Sequence, residues 1–356
     1  MTPQREFVLF FPHYPKNPYQ EILRQSLAKE GIEVHLADGR WRSILSFCSK
    51  YPARRSVYHI HWIHPFLKEP SRFLCGVRAA GFLLLFLGLK VRGSKLFWTV
   101  HNLYSHDLPH PGSERVFRSM LARIADGLFV HSASAVNAVS QEYGCPSAKI
   151  TVIANPHYID FYPNHNSREE ARRKMNAAPD TFVLLYFGLI RAYKGLDLLI
   201  EAFQELGPQV QLVIAGYARR DDKFLQRLLK LAAKKPGIRI HPRFIKDEEV
   251  QDFFNACDAV ALPFKKILNS GSLLLGMSFA KPCIVPAFEG VAAVVDEKSG
   301  FLYDPADPQG LKKKLQEAFL NRRLLAEKGR AAFEKAREKH APAKIASIMA
   351  RVYQTF

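Results

Sequence analysis

The chain has 356 residues, 48% hydrophobic and 24% charged, and its 51 Lys and Arg exceed its 33 Asp and Glu to give a net charge of +18. This composition excludes a disordered or collagen-like chain, and the length predicts about two domains. Five cysteines without a C-x-x-C pair argue against a disulfide framework or a zinc site and fit a reducing cytoplasm. The charge indicates an anionic partner, which could be nucleic acid, an anionic membrane surface or phosphorylated small molecules.

The apolar segments are short. The first one, at residues 7–11, lacks the length and the cleavage site of a secretory signal, so no signal is expected. The longest uncharged apolar run, residues 79–89, has eleven residues, whereas about 20 are needed to cross a bilayer. We therefore expect a cytoplasmic chain that does not span the membrane.

Short runs of β-branched and aromatic residues alternate with helical patterns, which is typical of parallel βαβ units. The strands predicted in the first half are residues 7–11, 32–36, 57–62, 96–101, 127–131 and 150–154. Those predicted in the second half are residues 182–187, 210–215, 238–242, 259–263 and 283–286. From Pro308 onward the pattern is helical, without a further predicted strand.

This alternation predicts an α/β fold with two doubly wound, Rossmann-like domains. The expected limits are 1–160 for an acceptor-side domain, 161–330 for a donor-binding domain, and 331–356 for a C-terminal helix that packs back toward the first domain. Ligands of such sheets bind at the carboxyl ends of the strands. The loops there carry histidines in the first half and Gly, Arg, Lys and Ser in the second, which indicates acid/base chemistry in one domain and anion binding in the other.

The first anion-binding candidate follows the strand at residues 182–187. Gly188 at the strand end allows close approach of a ligand, and Arg191 and Lys194 precede an apolar helical pattern. Arg can bind a phosphate through two parallel hydrogen bonds, and Lys acts as a point charge. The alternative is two solvated cations at a helix start, although cations are unfavourable against the helix dipole unless an anion lies between them.

The second candidate is the turn Ser270-Gly271-Ser272, which opens a helical pattern. Small residues at a helix start expose backbone N–H groups to an anion, so this turn is suited to a diphosphate. Simple N-capping by Ser270 or Ser272 is the alternative.

A series of motifs in the second half resembles the donor-binding domain of GT-B glycosyltransferases of the family 4 type. The motifs are F-G-x-x-R-x-x-K-G from Phe187, V-I-A-G, D-A-V-A-L-P, Lys281-Pro282 and G-F-L from Gly300. The first half is similar more loosely, through H-I-H-W and W-T-V-H-N. The resemblance implies two domains facing across a cleft. It also implies that Arg191 and Lys194 hold the diphosphate of a nucleotide sugar, and that the loop beginning at Phe244 and Ile245 lies near the nucleobase of that donor.

One part of the family pattern is missing. Retaining members carry two glutamates with seven residues between them, and those positions fall on Ile267 and Leu275. Their absence favours an inverting transfer, in which one base deprotonates the acceptor and positive groups stabilise the departing nucleoside diphosphate. The chain has no D-x-D motif, so Arg and Lys are expected to supply this charge without a metal or another cofactor.

The base is expected in the histidine-rich half. The preferred candidate is Asp107. Burial can raise the pKa of its carboxyl group, and His101 or His106 can orient it. His106 itself and His13, in the loop after the first strand, are the further candidates. Asp107 could instead cap a segment before a proline, and His59 is expected to be a hydrogen-bonded structural residue.

Residues 40–95 contain eleven Lys or Arg and a single acid, Glu69. Within this region an apolar segment is edged by Arg72, Arg78, Lys90 and Arg92, as in a helix that lies on an anionic membrane. A helix buried against the sheet is the alternative, and one helix can do both.

The sequence therefore predicts a metal-independent glycosyltransferase, peripheral at the inner face of the membrane, that moves a hexose from a GDP- or UDP-linked sugar to a lipid-linked or saccharide acceptor. The similarity of S-G-S-L-L-L to bacterial β-mannosyltransferase-like sequences favours mannose. The alternatives are a GT-B nucleotide-sugar epimerase and a nucleic-acid-binding protein. Nucleic acid is not expected as a partner, because no helix-turn-helix or zinc-knuckle pattern is present.

Overall fold

The computed structural model describes residues 5–104, 110–204, 206–267 and 269–355. The chain divides into two compact units, one of Met1–Pro156 with Ala341–Phe356 and the other of His157–His340. Each unit is built on a parallel six-stranded sheet. The predicted fold class, with two Rossmann-like domains, is confirmed.

The first domain alternates strands and helices from its first strand onward. Its strands are β1 (Phe7–Phe11), β2 (Glu33–Leu36), β3 (Ser56–Ile60), β4 (Lys95–Thr99), β5 (Gly127–Val130) and β6 (Ile150–Val152). Its helices up to this point are α1 (Tyr19–Ala28), α2 (Trp41–Lys50), α3 (His64–Leu67), α4 (Arg72–Val91), α5 (Pro111–Ile124) and α6 (Ala133–Tyr143). The strand order is β2-β1-β3-β4-β5-β6.

The second domain repeats this organisation. Its strands are β7 (Phe182–Phe187), β8 (Val210–Ala215), β9 (Ile238–His241), β10 (Ala259–Ala261), β11 (Cys283–Pro286) and β12 (Gly300–Tyr303), in the order β12-β11-β10-β7-β8-β9. Its helices are α7 (Arg168–Lys174), α8 (Leu196–Phe203), α9 (Lys223–Ala233), α10 (Asp247–Ala256), α11 (Gly271–Ser278), α12 (Glu289–Ala292), α13 (Gly310–Leu320) and α14 (Arg322–Lys339).

The last helix, α15 (Pro342–Thr355), belongs to the first domain, where it packs against α1. The sheet is buried on both faces because successive side chains of a strand point to opposite sides. In β1, Leu9 and Phe11 belong to the core on one face, whereas Val8 and Phe10 belong to the core that α15 covers.

The strand orders create a switch point in each sheet, where neighbouring strands lead to crossovers in opposite directions. In the first sheet it lies between β1 and β3, and in the second between β7 and β10. Ligands of open parallel sheets bind outside the carboxyl ends of the strands at such points. The loops after β1, β3, β7 and β10 are therefore the places to examine.

The structure differs from the sequence prediction in detail. β12 was not predicted, because it is a short edge strand that starts at a glycine and pairs only with β11. Strands β3, β4 and β5 end earlier than predicted. The histidines that follow them, His61, His101 and His131, therefore lie in the loops.

The chain passes from one unit to the other between residues 156 and 157 and again between residues 340 and 341. The sequence predicted these boundaries at residues 160 and 330. Helix α14 lies with the second unit because it packs on α11. A Cβ on Gly329 would overlap the carbonyl oxygen of Ala280, so the two segments pack with their backbones in contact.

Helix α4 has one buried and one exposed apolar face. Among the described residues, α4 is the one helix whose length and composition would allow it to cross a membrane, and its mean hydropathy is 1.8. Core helices have the same length and composition, and Cys75, Phe82 and Phe86 of α4 belong to the first domain's core. The apolar side chains of the exposed stripe are Phe73, Val77, Leu84, Leu87 and Val91.

Candidate active site

The switch point of the second sheet brings together the two anion-binding segments that the sequence singles out. Gly188, directly after β7, has φ +141°, and a Cβ there would lie 2.6 Å from Ser272 Oγ at the start of α11. Farther along the same loop, a Cβ on Gly195 would overlap the carbonyl oxygen of Pro263, after β10. The β7 loop thus packs closely on the segment that leads into α11.

Arg191 is held at this edge by a carboxylate. Its Nη1 lies 3.3 Å from Asp222 Oδ2, while Asp222 Oδ1 accepts a hydrogen bond of 2.9 Å from the backbone N–H of Phe224 and so caps α9. Because the cap fixes the carboxylate, Asp222 fixes the guanidinium in turn. The half-buried Arg191 keeps donors for a phosphate.

Lys194 has the least ordinary environment at this edge. Its ammonium lies 4.7 Å from the centre of the Phe264 ring and 5.0 Å from that of Tyr193. Burial lowers the pKa of Lys194 to about 8, and no carboxylate of the described residues forms an ion pair with it. A buried ammonium without a counter-charge is costly, so a bound anion would stabilise it.

The N-terminus of α11 adds backbone donors. Ser270 is its N-cap, and its Oγ accepts a hydrogen bond of 3.2 Å from the backbone N–H of Leu273. N-capping and anion binding are compatible, because the first turn of a helix has other unpaired N–H groups and the positive end of the dipole.

Other predicted donor residues lie farther away. Phe244 and Ile245 follow β9, the edge strand, two strands from β7. Ile245 is buried and Phe244 is exposed, so only Phe244 is available to a ligand. At the positions of the missing glutamates, Leu275 is buried in α11.

The corresponding edge of the first sheet carries a chain of imidazoles. His131 Nδ1 lies 3.2 Å from the carbonyl oxygen of Ile153, His131 Nε2 lies 3.1 Å from His101 Nδ1, and His101 Nε2 lies 3.5 Å from His61 Nδ1. Burial lowers the pKa values of His61 and His101 well below their usual range, so both are neutral at physiological pH.

The ends of this chain determine its tautomers. A carbonyl oxygen only accepts, so Nδ1 of His131 is the donor to the carbonyl of Ile153. Each further bond then runs from the Nδ1–H of one ring to the Nε2 of the next. At the other end, His61 Nε2 is buried without a partner in the described residues. An unpaired lone pair there costs less than an unpaired N–H, which gives the same assignment.

His13 differs from this chain because one of its nitrogens is available. Gln20 Nε2 donates to the carbonyl of Pro12 at 3.1 Å, so its Oε1 accepts from His13 Nδ1 at 3.0 Å. The other ring nitrogen, Nε2, has no partner among the described side chains, and the ring is half-buried at the carboxyl end of β1. Of the described candidates, His13 has the geometry of a general base.

His59 is enclosed in the core, where its two nitrogens contact Tyr353 Oη and, at 2.7 Å, Thr99 Oγ1. It has the structural environment that the sequence suggested. Asp107 and His106 lie outside the described residues. Within the described ranges, no group of three or more His, Cys, Asp or Glu could hold a metal ion.

Two residues of these edges were missed from sequence. Asp222 has a visible signal, since an aspartate directly before an amphipathic pattern is typical of an N-cap, but its contact with Arg191 depends on the order of β7 and β8. His131 ends an apolar run that predicts a strand over residues 127–131, so the sequence does not mark it as a loop residue. Its partner His101 lies 30 residues earlier in the chain.

Comparisons with known proteins agree with this architecture. Residues 167–339 match the family model described as Glycosyl transferases group 1. A GDP-mannose:glycolipid 4-beta-D-mannosyltransferase of Xanthomonas campestris pv. campestris is 29% identical over 258 residues, which cover 71% of this chain and 68% of the relative. A D-inositol 3-phosphate glycosyltransferase of Corynebacterium urealyticum is 25% identical over 80% of this chain and 68% of its own.

Among solved structures, Anabaena HepE in complex with UDP and glucose superposes with a TM-score of 0.76 at 16% identity, covering 99% of this chain and 100% of the other. WaaG, a glycosyltransferase involved in lipopolysaccharide biosynthesis, gives a TM-score of 0.68 at 16% identity, covering 96% and 98%.

The fold and the two sheet edges thus define an enzyme of the GT-B class. Residues 167–339 are similar to the glycosyl transferases group 1 family, and the protein is a glycosyltransferase with two Rossmann-like domains. The curated relatives are named as glycosyltransferases, which does not favour the epimerase alternative.

Proposed function

We propose that this enzyme uses a nucleotide sugar and binds the donor diphosphate at the switch point of the second sheet. The observation that carries the proposal is the half-buried Lys194 ammonium, which has aromatic neighbours and no described ion-pair partner. Arg191 and the N-terminus of α11 supply further donors on the same edge. Together these groups match the charge of a diphosphate.

The donor that we propose is GDP-mannose, and the acceptor is a glycolipid or another saccharide. The support is the name of the Xanthomonas relative, which specifies GDP-mannose, a glycolipid acceptor and a β linkage. UDP is the competing nucleotide, since a solved structure of the same fold contains UDP.

We propose an inverting, single-displacement reaction. The acceptor oxygen forms a bond to the anomeric carbon while the bond from that carbon to the diphosphate breaks, and the electron pair stays on the departing phosphate oxygen. Arg191 and Lys194 stabilise the charge that develops there, so the transfer needs no metal ion. The apolar Ile267 and Leu275 support inversion, because they replace both glutamates of the retaining pattern.

The acceptor's proton must pass to a base in the first domain. His13 Nε2 fits this role by its available lone pair. Asp107 is the candidate that the sequence favours. His101 fits less well, because both of its nitrogens lie within reach of other imidazoles.

We also propose that the enzyme is cytoplasmic and lies on the inner face of the membrane through the exposed stripe of α4. Phe73 is 77%, Leu84 69% and Val91 88% exposed, and Arg72 and Arg92 border the stripe. A helix that spanned the bilayer would withdraw its buried face from the core, whereas interfacial binding retains it. Sedimentation with phosphatidylglycerol vesicles, compared with phosphatidylcholine vesicles, tests this, and Leu84→Glu should weaken the binding.

The direct test of the function is product formation. The purified enzyme is incubated with GDP-[14C]mannose or UDP-[14C]glucose, with and without a lipid-linked saccharide, and the glycolipid is analysed by chromatography and NMR for its anomeric configuration. A β-mannosylated product that requires the acceptor supports the proposal. Conversion of the nucleotide sugar without an acceptor, or a retained configuration, contradicts it.

A further inference from the structure

The amino-terminal edge of the first sheet, opposite the histidines, carries a basic cavity. It is an open depression of about 330 Å³, within the size range of small-molecule sites. Its side chains come from the segments just before β1, β3, β4 and β5 and from the end of α4. The lining residues with polar or charged side chains are Arg5, Arg54, Lys90, Ser94, Lys95 and Asp126.

The charges that line this cavity are unbalanced, with four cations and one carboxylate. Asp126 is already shared, since its Oδ1 lies 3.1 Å from Lys90 Nζ and 3.5 Å from Lys95 Nζ. Its Oδ2 accepts the backbone N–H of Leu96 at 2.8 Å. The carboxylate therefore cannot also neutralise the two arginines.

Arg5 is the group with the strongest need for an anion. It is only 6% exposed, and its Nη1 donates to two neutral acceptors, the carbonyls of Arg54 and, at 3.0 Å, Gly93. Burial lowers the pKa of Arg5, with nearby Asp126 acting against this shift. Within the described chain no carboxylate forms an ion pair with Arg5.

A second polar group under the cavity is also unsatisfied. Ser94 is 3% exposed, and its hydroxyl has no hydrogen-bond partner among the residues that the structure describes. A buried cation without an ion-pair partner and a buried hydroxyl without a hydrogen-bond partner are each unfavourable, and one anion with several acceptor oxygens would relieve the charge imbalance.

We propose that this cavity is a binding site for a phosphate monoester. Arg5 and Arg54 supply guanidinium donors, which match phosphate oxygens, and Lys90 and Lys95 add point charges. The phosphate is either that of a soluble ester or that of a lipid headgroup. The lipid source is physically accessible, because Lys90 is followed by Val91, which is 88% exposed at the end of the apolar stripe. The site does not depend on the donor site, which lies in the other domain.

Calorimetry with defined probes tests the proposal. The full-length enzyme is titrated with inorganic phosphate, with dihexanoyl phosphatidic acid and with dihexanoyl phosphatidylcholine, in the presence of saturating GDP to occupy the donor site. The variant is Arg54→Gln with Lys95→Gln, two groups that are accessible and do not form the core. The control is Arg227→Gln with Lys230→Gln, which removes the same charge from the exposed face of α9. Thermal unfolding checks that both variants fold.

We expect phosphate or phosphatidic acid to bind the wild type and the control equally, and the cavity variant at least about tenfold more weakly. Binding of phosphatidic acid without inorganic phosphate identifies the lipid source, and equal binding of both identifies the soluble one. The proposal is overturned if the cavity variant binds like the control, if neither phosphate probe binds, or if phosphatidylcholine binds as well as phosphatidic acid. If GDP fails to bind, the donor-site proposal fails, but the difference between the two variants still decides this one.

Discussion

Both sheets are parallel and each has a switch point at its carboxyl edge, but the two edges differ in chemistry. In the first domain, His61, His101 and His131 contact one another, and burial keeps His61 and His101 neutral. In the second domain, Lys194 and the start of α11 present donors without internal acceptors. The first edge leaves His61 Nε2 and His13 Nε2 without partners among the described residues, whereas the second edge presents cationic and backbone donors. The comparison teaches that the first edge is suited to accept a proton and the second to bind an anion.

The largest expected effect tests whether the histidine-rich edge of the first sheet supplies the general base. We expect His13→Ala to lower kcat by about 10² to 10⁴-fold, the usual contribution of a general base, with GDP affinity unchanged. The measurement is mannosyl transfer together with calorimetry, and Asp107→Asn is assayed in parallel. His165→Asn, which removes an exposed imidazole from the other domain, is the control. Full turnover in His13→Ala would exclude His13, and the loss would then be expected in Asp107→Asn.

The proposed donor site at the carboxyl edge of the second sheet is tested by removing its cations. Arg191→Ala or Lys194→Ala should weaken GDP binding by about 10 to 100-fold, because each deletes a charge-assisted contact to the diphosphate. Lys234→Ala, at an exposed lysine directly after α9, should leave the affinity unchanged. Calorimetry measures all three. Equal affinities for the three variants would refute the assignment of the donor site.

The low pKa of Lys194 sharpens the comparison, since it makes this edge sensitive to pH. Below pH 8 the ammonium is charged and favours the diphosphate, and as the pH rises through about 8 the free enzyme loses that proton. GDP affinity should therefore fall by about tenfold between pH 7 and pH 9, with proton uptake on binding at pH 9. Calorimetry in buffers of different ionisation enthalpy measures the uptake. Lys194→Met should abolish it, and an unchanged uptake in this variant would contradict the explanation.

The smallest expected effect concerns Asp222, which holds Arg191. Asp222→Asn keeps an N-cap residue for α9 but removes the charge, so stability should change little. GDP affinity should fall by about 2 to 5-fold, the size of a partly exposed ion pair. Asp221→Asn, whose carboxylate contacts Arg219 on the surface, is the matched control. A loss in both variants would indicate a general charge effect instead of a positioning role.

The sequence determined much of the fold. Buried parallel strands are continuous apolar runs, and helices repeat every 3.6 residues, so local pattern alone located the strands of the first sheet and all but β12 of the second. The same local pattern predicted Gly188, Arg191, Lys194 and Ser270 as candidates for anion binding, because each follows a strand or opens a helix.

Only the tertiary structure decided which segments meet. Neighbouring strands of a parallel sheet are separated by whole crossovers, so strand order is not written in any local pattern. That order places β7 beside β10, pairs Arg191 with Asp222, and joins His101 to His131. Burial, which depends on all surrounding segments, then set the low pKa of Lys194 and left Arg5 without an ion-pair partner among the described residues. The net charge of +18 indicated an anionic partner, but only packing showed which cations lack an internal one.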